Sequence, residues 1–496
     1  MPEPIELLRQ ERIKKMDKIR ELGFDPYPAR WIHQDQRESI TKAREKDLDS
    51  QVFISGRLIA QRKHGALVFA DLKDESGEIQ LLFSKKELSD LLNQLLDLLD
   101  LGDFIGISGV LLKTASGELS ARVSDFSLLT KSLRPLPSQF YGLKDVEERY
   151  RKRYLDLLVN PEVKRFFEMR SKVINEIRSF LIEKKGYIEV ETPILQPIYG
   201  GGLARPFITY HHALNQELYL RIATELYLKR LIVGGFEKVF EINRVFRNEG
   251  VDTKHNPEFT LLETMEAFAD YQKNMELVEE MFEMVGKKIF GTTIVKYSGS
   301  EIDFKRPWKR VALWDLIKEK TGVDFGEISE EEAEKLVEKY HLKIDKYQKT
   351  VGSIAVALFE EVLAKDLIQP TLVTNYPQEI APLAKKCQND KRLVENFEIY
   401  INGLECGTNY SELNDPLELR ERLIDERKKE KLGDSEAHQM DNDFIEALEY
   451  GMPPTSGIGP GIDRIVMILA NVASIREVIL FPTLRGKAGS DKQTET

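Results

Sequence analysis

An α+β fold is what this sequence predicts, on three observations. Five short β-rich runs lie between residues 51 and 128, two hairpin signals lie at 239–268 and 397–411, and helical periodicity fills much of the remainder. The chain has 496 residues, with 72 basic against 83 acidic side chains and a formal charge of −11. Apolar residues make up 42% and charged residues 31%, a globular balance that excludes disordered and fibrous classes. At roughly 150 residues per domain, two or three domains are expected. Net acidity argues against a charge-driven, histone-like binder of nucleic acid, though not against a local basic surface.

The two cysteines, Cys387 and Cys406, have no His or Cys cluster near them. Neither a disulfide framework nor a structural zinc site is expected, and a reducing compartment is the simpler reading. The first twenty residues are charged throughout and offer no apolar core of a secretory signal. The longest apolar run, 465–470, is too short to span a bilayer. A cytoplasmic protein without a membrane partner is expected.

Residues 4–22 place Ile5, Leu8, Ile13, Met16 and Ile19 at helical spacing among charges, predicting an exposed helix that Gly23, Pro26 and Pro28 end. The β-rich runs are 52–59, 66–72, 78–83, 104–113 and 118–128, punctuated by Gly65, Gly77, Gly102 and Gly117, with one helical stretch at 84–99. Five strands and one interposed helix predict a small barrel of OB type. Residues 133–137, with two prolines, read as a linker. An amphipathic helix through Val163, Phe166, Ile174, Ile177 and Leu181 stops at Lys185-Gly186. Residues 272–350 read as a charged, mostly helical inserted subdomain, and 417–431 as a charged helix with a solvated face. The expected domains are 1–145 (helix, barrel and linker), 146–486 (an antiparallel sheet flanked by helices, with the insertion at about 272–350) and a polar tail at 487–496.

The first hairpin joins a strand at 239–246 to one at 259–268 through a loop at 248–256. Period two sets Phe259, Leu261, Glu263 and Met265 on one face. An aromatic plate beside a carboxylate suits a floor for a flat ring with a grip for an amine. Arg247 and Glu249 share a face at the first strand's end, a fork and a carboxylate that could take a phosphate and a base edge. From these residues alone, a surface ion pair over a buried ring is the commoner arrangement and stands ahead.

The second hairpin turns at Asn402-Gly403, the strongest short hairpin signal. Ile401 then opposes Leu404 and Tyr400 opposes Glu405, with Glu398 on the face of Glu405 as a diagonal neighbour about 7–8 Å away. Carboxylates this close repel unless a cation lies between them, and hard oxygens suit magnesium. Two solvated glutamates are an equal alternative at this point. Further on, Gly457, Gly459 and Gly461 open an apolar helix with Arg464 in its first turn, where it could meet phosphate. The spacing is not a dinucleotide fingerprint, and no Walker loop occurs. In the barrel, Arg62, Phe69 and Gln80 could stack and read single-stranded bases; a core Phe69 with two solvated neighbours is the plainer reading.

Together these stretches resemble the class II aminoacyl-tRNA synthetases, and are most similar to the lysyl-tRNA synthetases of the bacterial and eukaryotic type. Residues 187–195, with Pro193, resemble motif 1, the dimer-forming element; 239–263 resemble motif 2 and 459–469 motif 3. Residues 204–207, 218–223, 225–235 and 411–415 are similar to the lysine-specific stretches, and the likeness runs from the leading helix to Pro482. It implies a class II catalytic domain behind an OB-fold anticodon-binding domain, a homodimer, and L-lysine, ATP and tRNA(Lys) as reactants. Lysine would attack the ATP α-phosphorus to give lysyl-adenylate, and the lysyl group would pass to the 3′ end of the tRNA.

Carried over by position, Arg247 and Arg464 would be catalytic. Phe259 and Arg464 would sandwich adenine, with Glu249 on its amino edge and His255 and Asn256 near the phosphates. Glu398 and Glu405 would bind Mg2+. Gly201 and Glu225 would take the lysine α-amino group, Arg247 its carboxylate, and Glu263 and Glu412 its ε-ammonium, with Tyr410 in the same pocket. Arg62, Phe69 and Gln80 would contact the anticodon. Strict alternation puts Glu412 on the face opposite Glu405, so a bulge near Gly407 is predicted. Met265 stands where many relatives carry tyrosine, Thr408-Asn409 replace the usual asparagine and glycine, and His212 replaces an asparagine. Aspartyl or asparaginyl relatives would need a cationic pocket, which Glu225, Glu263 and Glu412 do not make. A non-catalytic scaffold would have lost Arg247, Glu398, Glu405 or Arg464. A lysine-transferring enzyme acting on protein or lipid would lack the barrel or carry membrane spans.

Overall fold

The computed structural model describes residues 4–137, 143, 145–344, 349–434 and 436–486; the tail expected at 487–496 lies outside them. The chain divides into two compact units between residues 144 and 145.

The first unit opens with α1 (Pro4–Glu21). Its strands are β1 (Gln51–His64), β2 (Leu67–Lys73), β3 (Glu78–Ser84), β4 (Phe104–Lys113) and β5 (Leu119–Thr130), with α2 (Asp90–Leu98) between the third and fourth. They close into a barrel in the order β1-β2-β3-β5-β4, antiparallel except where β3 meets β5. The cause is plain alternation: Val52, Ile54, Val68, Ala70, Ile79 and Leu81 point inward and are buried. Ser89 caps α2 by accepting from the Leu92 N–H, and Leu95 and Leu96 join the barrel core.

The second unit is built on an eight-stranded sheet. Its elements are α3 (Pro161–Ser179), β6 (Ile188–Glu189), α4 (Glu225–Val233), β7 (Lys238–Phe246), β8 (Glu258–Ala267), α5 (Tyr271–Phe290), β9 (Lys309–Ala312), β10 (Thr371–Thr374), β11 (Asn396–Ile401), β12 (Leu404–Ser411), α6 (Pro416–Lys431), β13 (Thr455–Pro460) and α7 (Ile462–Ala470). The sheet order is β9-β10-β11-β12-β13-β8-β7-β6. Pairing is antiparallel except at the two ends, β9 with β10 and β6 with β7. One face packs Leu262, Ile399 and Ile458 against Val173 and Ile177 of α3, Val278 of α5 and Ile465 of α7. The opposite face, with Glu263, Glu398 and Gly459, borders a cleft.

One expectation needs correction. The segment 272–350 is not simply a helical insertion. α5 packs Met275, Val278 and Phe282 into the main core, Ile294–Tyr297 pairs with Ser300–Asp303, and β9 forms one edge of the large sheet. Four-residue strands are too short to declare a period, and the charge density reports only the solvated side of each helix. α6 presents the solvated face expected of 417–431 and buries the opposite stripe, Leu419, Arg422, Leu423 and Glu426.

Candidate active site

The cleft has a volume of about 840 Å³ and takes side chains from both hairpins, from α4 and from the start of α7. On β8 the alternation holds: Phe259, Leu261, Glu263 and Met265 all line it. The second hairpin closes as its turn demands, with Ile401 opposite Leu404 and Tyr400 opposite Glu405. Beyond that pair the register slips by one residue, Ile399 facing Gly407, so β12 carries a bulge. The bulge returns Glu412 to the face of Glu405, and both line the cleft. Gly407 makes the slip possible: its φ is +155°, and a Cβ there would stand 2.7 Å from the Pro460 Cα.

At one end the groups suit a nucleotide. Arg247 follows β7, its N–H donating to the Pro257 carbonyl at 2.8 Å and its guanidinium standing 5.2 Å from the Phe259 ring. Arg464 donates to the backbone carbonyl of Glu405 at 2.9 Å and pairs with its carboxylate. His255 Nδ1 lies 2.9 Å from Asp252, and its Nε2 3.4 Å from Arg464 Nη2. Glu249 lines the same end. Asn256 also borders it, but its amide is already engaged, donating to the Glu258 carbonyl at 2.7 Å and accepting from the Thr483 N–H at 3.2 Å. These two bonds hold the loop and leave one amide N–H of Asn256 uncommitted. Asp463 locks α7 to β8, pairing with Arg170 at 2.5 Å and accepting from the Thr260 N–H at 2.8 Å.

Glu398 and Glu405 both line the cleft, but the slip lies between them: Glu398 faces Thr408 and not Gly407, so the regular diagonal expected of the hairpin does not hold. Tyr376 and Tyr400 donate to Glu398 at 2.8 and 3.0 Å. Burial, then the charges of Glu405 and Glu360, push Glu398 up to about 8. Glu360 completes this carboxylate group, itself raised to about 7 by burial and by Glu405. The sequence reading missed Glu360; its signal is a carboxylate pair, Glu360-Glu361, ending an otherwise apolar helix. Among the described residues no group of three His, Cys, Asp or Glu could hold a metal ion by itself. Two hard-oxygen ligands with surplus negative charge still fit a divalent ion that takes its other ligands from phosphate and water.

The other end is acidic and closed. Glu263 is buried, and one of its oxygens accepts both from the Thr224 N–H at 2.7 Å and from the Thr224 hydroxyl. Burial raises it to about 7, against the pull of Thr224. Glu412 is 1% exposed, and its Oε1 has no hydrogen-bond partner among the described residues. Its one close partner is Lys229, in ion-pair contact at 2.5 Å. Lys229 also pairs with Glu225 at 2.5 Å. Tyr410 lines this end, burial holding its hydroxyl well above the usual range. Gly201 sits at φ +84°, where a Cβ would press to 2.9 Å from that of Glu225. Thr224 and Lys229 were also missed. For Lys229 the signal was available, a Glu and a Lys four apart on one helix.

In the barrel unit, Arg62 lies opposite Phe69, and Asp71 opposite Gln80. Phe69 is half-buried between the core residues Val68 and Ala70, so its ring is on the outer face and not in the core. Arg62, Phe69 and Gln80 share that face, together with Asp71, 3.5 Å from Arg62. The His64 ring meets Phe69 edge-on at 6.0 Å, and Gln80 accepts from the Ser120 hydroxyl at 2.9 Å.

A family model described as tRNA synthetases class II (D, K and N) matches residues 145–485, and one described as an OB-fold nucleic acid binding domain matches residues 52–129. A lysine–tRNA ligase of Clostridium novyi (strain NT) is 48% identical over 482 residues, covering 96% of this chain and 94% of the relative. One from Bacillus subtilis (strain 168) is 49% identical over 484 residues, covering 96% and 97%. One from Pelotomaculum thermopropionicum is 49% identical over 483 residues, covering 97% and 95%.

Proposed function

The chain belongs to the class II tRNA synthetases, within the lysine–tRNA ligases, and we propose that its cleft activates L-lysine with ATP and passes the lysyl group to tRNA(Lys). The observation that carries the amino-acid assignment is Glu412, a buried carboxylate whose Oε2 pairs with Lys229 and whose Oε1 has no hydrogen-bond partner among the described residues, at the closed end beside Glu263. A buried acceptor of this kind awaits a ligand's ammonium, and it rejects neutral isosteres because they would leave it unpaired.

In the first step a lysine carboxylate oxygen attacks the ATP α-phosphorus and pyrophosphate leaves. In the second, a hydroxyl of the 3′-terminal ribose attacks the lysyl carbonyl and AMP leaves. Neither step needs an enzyme nucleophile, so catalysis rests on positioning and charge stabilisation. Arg247 would hold the lysine carboxylate and the α-phosphate together and offset charge growing on phosphorus. Phe259 and Arg464 would clasp adenine, with Glu249 at its amino edge and His255 toward the phosphates. Gly201 leaves room for the α-ammonium beside Glu225, while Glu263 and Glu412 receive the ε-ammonium, with Tyr410 as wall. Glu398 and Glu405 would hold Mg2+, which when bound neutralises phosphate charge.

The face of Arg62, Phe69 and Gln80 would receive the anticodon, the ring stacking a base and the donors reading its edge. A homodimer is the proposed assembly. Its interface would cover Ile188, Leu195, Ile208 and Leu214, which are 52%, 47%, 61% and 64% exposed around the motif 1 stretch. No helix among the described residues is long and apolar enough to cross a membrane. A cytoplasmic setting, where tRNA is charged, is the proposed location. The test is ATP–pyrophosphate exchange with each of the twenty amino acids in turn. Lysine alone should drive it strongly; exchange driven by aspartate or asparagine would overturn the assignment.

A further inference from the structure

α4 carries a lysine that the chemistry above does not use. Lys229 lies one turn after Glu225, is 1% exposed, and touches carboxylates from two elements, Glu225 Oε1 and Glu412 Oε2, each 2.5 Å from Nζ. The Phe444 ring stands 6.0 Å away on another side. Ammonium groups are almost never buried this completely unless they are paired. Here the pair is made with the two carboxylates assigned to the two amino groups of the substrate.

We propose that Lys229 is the positioning residue of the amino-acid pocket: it holds Glu225 and Glu412 in place and ionised, and it sets the pocket's charge to match a substrate with two ammonium groups. The proposal rests on the reading of this end as the lysine site. Glu225, Glu263 and Glu412 bring three negative charges, and Lys229 cancels one. The two that remain equal the two ammonium groups of lysine, while Arg247 matches its carboxylate. An amino acid with a neutral side chain brings one ammonium and leaves a buried carboxylate uncompensated. Without Lys229 the carboxylates would repel, and one would take a proton from water and so lose its grip on an ammonium.

The groups facing Lys229 are Glu225 on its own helix, Glu412 on β12, and His438, whose backbone N–H donates to Glu426 of α6 at 3.3 Å; Glu263 on β8 acts on Glu412. Burial alone would lower the Lys229 ammonium, but Glu225 and Glu412 hold it above its ordinary value. Burial pushes Glu412 the other way, toward its neutral form, and Lys229 is what opposes that.

The experiment uses the full chain with Lys229→Met and Lys229→Arg, read by lysine-dependent ATP–pyrophosphate exchange from pH 6 to 9. Lys229→Met should raise the lysine KM by about tenfold or more at pH 7, with a much smaller change in kcat and none in the ATP KM. Its lysine KM should go on falling above pH 8, where that of the parent has levelled, and Lys229→Arg should recover most of the defect. An unchanged lysine KM and pH profile in Lys229→Met would overturn the proposal; so would equal defects in both variants, since the charge would then count for nothing. If Lys229→Met does not fold, the parent decides. Calorimetric lysine binding at pH 7, in buffers of different ionisation enthalpy, should show no more than one proton released per lysine, that of Glu263, if Lys229 keeps Glu412 ionised. Release of more than one would show that Lys229 does not keep its partners ionised. Failure of the parent to exchange with lysine would instead sink the reading of the pocket.

Discussion

The barrel face and the closed end of the cleft are assembled by the same device and behave differently. In both, cross-strand register brings distant residues together: Arg62 with Phe69 and Asp71 with Gln80 on the barrel, Tyr400 with Glu405 in the cleft. On the barrel, regular alternation is sufficient, and the side chains stay half-exposed and ready to stack on a flexible strand of bases. In the cleft, register must be broken once, at Gly407, and the carboxylate it delivers, Glu412, is buried. An exposed face recognises by contact area and donors. A buried one recognises by making the wrong charge costly, and therefore needs an internal counter-ion and caps such as Thr224.

Three experiments sharpen or break this contrast. The largest effect is expected from Glu412→Gln, which should raise the lysine KM in exchange on the order of 10²-fold while the ATP KM holds, as fits loss of a buried charge pair. A change under threefold would mean that the closed end does not discriminate by charge. Next, Phe69→Ala should lower tRNA lysylation by about tenfold, the worth of one stacked base, and leave lysine-dependent exchange untouched. A matching loss in both assays would show that the ring serves stability rather than recognition.

The third effect is in the pH profile of the parent. Glu263 is raised from its ordinary 4.5 to about 7, so the ligand-free folded chain keeps a proton that the unfolded chain releases. That carboxyl therefore costs folding stability as pH climbs from about 4.5 to 7, whereas lysine, by favouring its ionised form, binds better over the same interval. The lysine KM should fall by up to about tenfold per pH unit below 7 and flatten above it. A flat profile from pH 5.5 to 7 would show that Glu263 is already ionised without substrate.

The legible part of the site is the part that periodicity governs. Asn402-Gly403 set one hairpin, period two set the face of Phe259 and Glu263, and the parity conflict between Glu405 and Glu412 predicts the bulge that β12 carries. Phe69 was misjudged as the plainer core residue because a ring on a half-buried strand gives no sign of which way a barrel closes. Asn256 borders the expected end of the cleft, but its bond from the Thr483 N–H, a segment more than two hundred positions away, had no signal along the chain.

What the sequence determined by itself is therefore local: strand phase, turn position, helix caps and the acidic make-up of the pocket, all consequences of backbone geometry over a few residues. Only the tertiary structure decided the partnerships. Lys229 lies between Glu225 and Glu412 because α4 is packed beside β12, and Thr224 caps Glu263 because the start of that helix abuts β8. Such pairings depend on how separate elements share one volume, and no spacing along the chain encodes that.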